Sequence, residues 1–418
     1  MAKRPRIRFL TKVAIMATSL MLCVLQVYPQ SPGLRFVTPR KKLTLPFEMY
    51  NNLIVVPILL NNQIPLKFIV DTGVKTTILT DKAYSDLLNV DYSRKLTIAG
   101  LGRNSQVEAY VANNLTVSMP GVVGTGQAFL VLEEDYLQLR KNLGAVVHGI
   151  IGFELFRRFV VKIDYQNREL TLYDPTRFSP PRRYKEIDIM LDSYKPLVYA
   201  DLKTRDTTVN NQRYLIDTGA SLSLMIKKDS FSGVNVPEKN VERLIGQGLG
   251  GQLHGHVGRV EEIDWDGYRL KEPIASFPEP DPGAEVVFFR DREGTIGGEI
   301  LSRFTVIMDY HNRKMYLKKN RKFRDPFEFN MAGFDIMADG VNLDKFYVSE
   351  VIANTPAQEA GIKRGDRIMR LNGRQAYNYE LREIIEIITR KPGKKIKMEL
   401  MRSDGSKYRV KFRLERIL

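Results

Sequence analysis

The chain has 418 residues, enough for two or three domains, and its 43% apolar and 27% charged residues describe ordinary globular protein. That balance excludes a disordered chain and a multi-span membrane protein. Sixty-four Lys and Arg against 48 Asp and Glu leave a net charge of +16, which reads as a solvated basic surface, with attraction to an anionic membrane as the second reading. No zinc finger, glycine-rich phosphate loop or Arg-aromatic cluster points to nucleic acid.

Lys3, Arg4, Arg6, Arg8 and Lys12 precede an apolar run over residues 13–27. The run is short for a membrane span and the right length for a signal h-region. No Ala-x-Ala site follows, so residues 1–30 read as a signal peptide or as an uncleaved membrane anchor. The chain is therefore expected to be exported, to the periplasm or cell envelope. Cys23 is the only cysteine, and Leu20-Met21-Leu22 before it lacks the small residue of a lipobox. The exported part then has no disulfides and depends on its cores.

Residues 31–53, with Pro32, Pro39 and Arg40-Lys41-Lys42, read as a connecting segment. From Ile54 onward, short β-branched runs alternate with Asn, Gly and Pro, the pattern of an all-β domain. Asn61-Asn62-Gln63 separates two such runs in a hairpin that feeds Asp71. A short helix is expected near residues 81–88, and a hairpin around Gly100-Leu101-Gly102. Strands follow near residues 115–119 and 127–132. His148-Gly149-Ile150-Ile151-Gly152 opens another short helix, and a strand pair turns at Gln166-Asn167. After Pro180-Pro181 the programme restarts, with a glycine-rich hairpin over residues 246–258.

Two phrases carry the chemistry: Asp71-Thr72-Gly73 and Asp217-Thr218-Gly219, each between strand-like runs. One Asp-Thr-Gly is only a good turn. Two suggest two carboxylates built for one site, where like charge lets only one ionise and a proton is shared. The ionised member can deprotonate a water while the other polarises a carbonyl. Gly73 and Gly219 allow the tight turns, and the Thr72 and Thr218 hydroxyls can brace the facing loops. The register supports a duplication: 81 positions separate Asp71 from Gly152, and 80 separate Asp217 from Gly297. Twelve more lead from each glycine to Asp164 and Asp309, both opening Asp-Tyr-x-Asn-Arg. Asp164 and Asp309 read as structural turn residues.

These marks resemble the aspartic proteases, closer to retropepsins and bacterial retropepsin-like enzymes than to pepsins, over roughly residues 50–320. The resemblance implies that Asp71 and Asp217 face each other across a pseudo-two-fold axis as the catalytic pair, with Thr72, Gly73, Thr218 and Gly219 in support. It also implies that Gly149-Ile150-Ile151-Gly152 and Gly294-Thr295-Ile296-Gly297 pack beneath them, and that a hairpin from residues 94–112 or 245–260 closes over substrate. Val74 departs from the pattern, which has Ala or Ser there, as at Ala220. Thr295 stands where the first repeat has Ile150.

Beyond a charged linker, Arg321-Lys322-Phe323-Arg324-Asp325-Pro326, the chain resembles a PDZ domain. The resemblance rests on Asn330-Met331-Ala332-Gly333-Phe334 and on Ala357-Gln358-Glu359-Ala360-Gly361-Ile362-Lys363-Arg364-Gly365-Asp366 running into Leu371-Asn372-Gly373. It implies an edge strand from Phe334 that pairs with a peptide, whose terminal carboxylate the amides of Ala332, Gly333 and Phe334 would hold. Leu381, Ile384, Ile385 and Ile388 fall at helical spacing. His254 and His256 alternate on one strand with no third ligand, so no metal site is expected.

The expected fold is mainly β. Two aspartic-protease β-barrel lobes, residues 45–178 and 184–320, meet at the dyad, and a β-rich α+β PDZ domain occupies 325–418. The expected function is an exported aspartic endopeptidase without cofactor, sufficient as a monomer. Its partners are a peptide or protein substrate and a C-terminal peptide on the PDZ domain. The competing reading is a catalytically inactive, peptide-binding envelope scaffold.

Overall fold

The computed structural model describes residues 32–99, 106–228, 233–249, 251–279 and 291–418. The expected leader, residues 1–30, and the turn at Gly100-Leu101-Gly102 lie outside the described residues. Among the described residues no helix is long and apolar enough to cross a membrane.

The described residues are mostly β, with only short helices among them until Leu381–Thr389. The first repeat folds into a nine-stranded sheet and the second into a ten-stranded one. The hairpin through Asn61-Asn62 forms as expected, with Leu53–Leu60 antiparallel to Ile64–Val70. Both Asn61 and Asn62 take left-handed backbone angles, which Asn tolerates better than a β-branched residue. The helix expected near residues 81–88 is the single turn Ala83–Asp86.

A third sheet of six strands joins the repeats. Strand Val160–Asp164 pairs antiparallel with Phe304–Asp309, matching Val161 to Met308, Lys162 to Ile307 and Ile163 to Val306. The repeat offset from Asp164 to Asp309 maps each of these pairs onto its mirror image. The pseudo-two-fold axis therefore passes through the Lys162–Ile307 pair. One buried apolar cluster runs from Leu34 through both repeats to Phe327, whereas Met331 to Leu414 form a separate core. The two lobes are repeats in sequence and one body in packing.

The connecting segment expected over residues 31–53 is instead part of that body. Gly33–Phe36 pairs with the strand Val122–Leu132, and Lys42–Pro46 closes the interlobe sheet against Glu169–Tyr173. Leu34 and Leu45 are buried. The prolines and the Arg-Lys-Lys run hid two short strands, the second exposing Lys42, Thr44 and Pro46 around the buried Leu45. The charged linker is also fixed, because Arg303 donates to the carbonyls of Lys322, Asp325 and Pro326 and stacks on Phe327.

The C-terminal domain is a six-stranded sheet with Phe334–Asp339 at its edge, and the helix Leu381–Thr389 beside that strand.

Phe304 tests the shared core. Its ring is fully buried and packs edge-on against Trp265, Tyr268 and Phe323. Phe304→Ala is expected to destabilise the two-lobe body by about 3–5 kcal/mol, read as a lower urea midpoint.

Candidate active site

Each aspartate is delivered by a strand whose last three residues are buried. Asp71 follows Ile64–Val70, which lies between Leu53–Leu60 and the parallel strand Gly149–Ile151. Asp217 follows Thr208–Ile216, which runs parallel to Gly294–Ile296. The parallel partners also fix the aspartate backbones: Asp71 N donates to Ile151 O at 2.9 Å and Asp217 N to Ile296 O at 3.0 Å. The glycine ending each apolar-apolar-Gly element is required by contact. A Cβ on Gly152 would lie 2.3 Å from Asp71 O, and one on Gly297 2.2 Å from Leu222 O.

The threonines tie the loops across the axis. Thr72 Oγ1 donates to Ile216 O at 2.6 Å and accepts from Thr218 N at 3.1 Å. Thr218 Oγ1 donates to Val70 O at 2.8 Å and accepts from Thr72 N at 3.1 Å. Both side chains are buried, so these four bonds satisfy groups that water does not reach. Gly73 N donates to Asp71 Oδ1 at 2.6 Å, and Gly219 N to Asp217 Oδ1 at 2.8 Å. A Cβ on Gly219 would fall 2.2 Å from the Asp71 carboxyl carbon, so each glycine admits the opposite carboxylate.

The structure thus brings Asp71, Thr72, Gly73, Asp217, Thr218 and Gly219 into one cluster. Loss of water raises both carboxyls above the usual carboxylate range. Asp71 is pushed well up, by desolvation and then by the Asp217 charge, against the pull of Gly73 N–H. Desolvation raises Asp217 too, but Gly219 N–H, the hydrogen bond with Asp71 and the charge of Arg292 oppose it. The two carboxyls form one coupled pair, both raised by burial.

Arg292 escaped sequence reasoning. It is 4% exposed, pairs with Asp291 at 3.0 Å and lies near the Asp217 carboxyl. Asp291 also takes Lys195 at 3.2 Å. The only sequence signal is a charged run, Arg290-Asp291-Arg292-Glu293, just before an apolar-apolar-Gly element. Tyr165 and Tyr310, matched in the two Asp-Tyr-x-Asn-Arg phrases, were also missed. Both are buried near the dyad, and desolvation, then the aspartate charge, raises their hydroxyl pKa. Asp164 and Asp309 are turn residues by geometry, each accepting from the backbone and side chain of the Asn three positions on.

The Val74 carbonyl accepts from Phe153 N at 2.9 Å, starting the helix Phe153–Phe156, and its side chain packs on the cluster of Val55, Ile78 and Ile150. Both expected hairpins form, as Tyr92–Ala99 with Gln106–Met119 and as Asn240–Gly248 with Gly251–Arg259. His256 Nδ1 is within hydrogen-bond distance of Asn240 Oδ1, at 2.9 Å. Among the described residues no three His, Cys, Asp or Glu side chains form a metal cluster.

The PDZ loop departs from the expected arrangement. Ala332, Gly333 and Phe334 sit together at the start of the edge strand but are buried. The Asn330 side chain accepts from Ala332 N at 3.0 Å and Gly333 N at 3.1 Å. Two of the amides assigned to a peptide carboxylate are already occupied by a neighbouring amide oxygen.

Thr218→Val keeps the side-chain volume and removes the hydroxyl, leaving Thr72 N and Val70 O buried without their partner. The expected loss is about 2–4 kcal/mol of stability, from two orphaned groups, read by urea unfolding. Thr72→Val should match it by symmetry.

Residues 56–155 match the aspartyl protease family and residues 329–401 the PDZ domain family. Two Bacillus subtilis (strain 168) proteins are distantly similar. Carboxy-terminal processing protease CtpB is 25% identical over 126 residues, 30% of this chain and 26% of that protein. Carboxy-terminal processing protease CtpA is 26% identical over 113 residues, 27% of this chain and 24% of that protein. The chain therefore spans about a quarter of the length of either relative. The chain carries an aspartyl protease domain in its first repeat and a PDZ domain at its C-terminus.

Proposed function

We propose that the protein is an exported aspartic-type endopeptidase in which Asp71 and Asp217 activate one water against a peptide carbonyl. The observation that carries this reading is the reciprocal threonine exchange, which holds two desolvated carboxyls against each other on matched loops. Asp217, eased toward ionisation by Arg292, takes a proton from the water. Asp71, protonated, gives its proton to the carbonyl oxygen as the water oxygen attacks carbon, which leaves a gem-diol. The tetrahedral intermediate collapses as Asp217 returns its proton to the amide nitrogen and Asp71 recovers one from the diol. The C–N bond breaks, and the net consumption is one water. Both carboxylates belong to one chain, so a monomer suffices.

The basic, apolar N-terminus supports export, with retention at a membrane if residues 1–30 stay attached. Peptide or protein substrates follow from the reaction. The expectation of a C-terminal peptide on the PDZ domain is weakened by the Asn330 contacts.

Residues 31–418 incubated with a mixed peptide library from acid to neutral pH should cut internal bonds. Asp71→Asn and Asp217→Asn should each lose at least about a thousandfold in kcat/KM, the scale of a lost acid or base. Cleavage that survives in either variant would overturn the assignment. A folded parent that cuts nothing would favour the peptide-binding scaffold.

Stability carries the same signature without substrate. Asp71 keeps its proton in the fold above its ordinary value of 3.8, so between that value and its raised one the folded state binds more protons than the unfolded chain. Stability then falls as pH rises through this window. Asp71→Asn is expected to melt higher than the parent at pH 7, with the gap closing as pH drops toward 3.8.

A further inference from the structure

The PDZ domain is packed onto the protease body at the places where a free PDZ domain would meet a peptide. Its edge strand Phe334–Asp339 lies against the short helix Leu139–Leu143 of the first lobe. Arg140 donates to the carbonyls of Gly340 and Val341, and Lys141 pairs with Asp339 at 3.7 Å. Gly144, ending that helix, meets Leu381 on the PDZ helix so closely that a Cβ would fall 2.5 Å from Leu381 Cβ. The partner occupying this face is the chain itself.

The second lobe reaches the same strand through its hairpin. Arg243, on Asn240–Gly248, pairs with Asp335 and, at 3.8 Å, with Glu350. Its guanidinium lies 5.4 Å from the Phe329 ring centroid. Leu244 N donates to Glu350 Oε1 at 2.9 Å, beside the register shift that interrupts the hairpin ladder between Leu244 and Gly246. The Arg243 side chain is 14% exposed, which places these bonds in a partly dehydrated setting where charge-assisted contacts are strong. The far end of the same hairpin crosses to the first lobe. Leu249 packs on the cluster containing Val55, Ile78 and Ile150, against which Val74 also packs, and Gln247 donates to Tyr136 O at 2.9 Å.

We infer that the PDZ domain is a fixed clamp on the second-lobe hairpin, and that Arg243 is a positioning residue for the peptidase reaction, holding the hairpin across the cleft through Asp335 and Glu350. The inference rests on the endopeptidase reading and assigns the PDZ domain a role inside that site. Its physical basis is that a two-stranded hairpin is marginally stable alone and takes its position from what it packs against. The base of this hairpin is tied into the second lobe's own sheet, where Gly255–Arg259 pair with Ile274–Pro278; beyond that pairing it is held by the cluster on which Val74 and Leu249 pack and by the PDZ sheet. Releasing the PDZ contact frees the cleft cover without touching either carboxylate.

The test uses the full chain, with Arg243→Ala and the milder Glu350→Gln, which keeps an acceptor for Leu244 N. Hydrogen exchange by mass spectrometry needs no substrate. The clamp predicts exchange about tenfold faster over residues 240–249 in Arg243→Ala, a smaller rise in Glu350→Gln, and unchanged exchange over Phe304–Asp309. On a peptide that the parent cuts, KM should rise several-fold with kcat little changed, and Arg243→Lys should restore part of the loss. Hairpin exchange equal to the parent in both variants would overturn the clamp. Faster exchange with KM unmoved would overturn the positioning role of Arg243 in the reaction. A parent that cuts no peptide would refute the peptidase reading, and with it the catalytic part of the inference, while the exchange result would still decide whether the PDZ domain holds the hairpin.

Discussion

Everything in this protein depends on a short exchange of hydrogen bonds between Thr72 and Thr218. Each hydroxyl gives its proton to a carbonyl of the other lobe and takes one from the other threonine's amide. Two carboxyls that repel when ionised are thereby held against each other by four buried bonds. Such bonds are worth more as obligations than as gains, because breaking one leaves buried groups unsatisfied. The loops cannot drift apart without that loss, so the fold rather than the substrate bears the strain of the paired acids.

The rest of the body stiffens this arrangement. Parallel strands Gly149–Ile151 and Gly294–Ile296 fix the aspartate backbones, and glycines behind them let the loops approach. The six-stranded interlobe sheet puts the symmetry axis through Lys162 and Ile307 and closes one core around both lobes. Arg292 breaks the symmetry. Its buried charge pulls the Asp217 carboxyl down against the desolvation that raises it.

Much of this was legible in the sequence. The two Asp-Thr-Gly phrases, the apolar-apolar-Gly elements and Asp-Tyr-x-Asn-Arg hold one register because each occupies a position where few residue types fit. A turn glycine pressed on a carbonyl and an aspartate capping a turn leave such marks. What was not legible depends on contacts between distant segments. Lys42–Pro46 looks like a basic linker because only Leu45 and its neighbours know the sheet they join. Arg292 looks like any surface charge until the fold buries it. Asn330 sits in a recognisable PDZ loop, and nothing in its type announces that its side chain takes the amides of Ala332 and Gly333. The same holds for Arg243, whose partners come from another domain.

The measurement closest to the central claim is the protonation of the dyad itself. Aspartate labelled with 13C at Cγ, with the two dyad signals identified by their loss in Asp71→Asn and Asp217→Asn, would be titrated by NMR. One carboxyl should stay protonated well above 3.8 while its partner ionises first. Two signals that ionise together near 3.8 would contradict a shared proton, and with it the proposed chemistry.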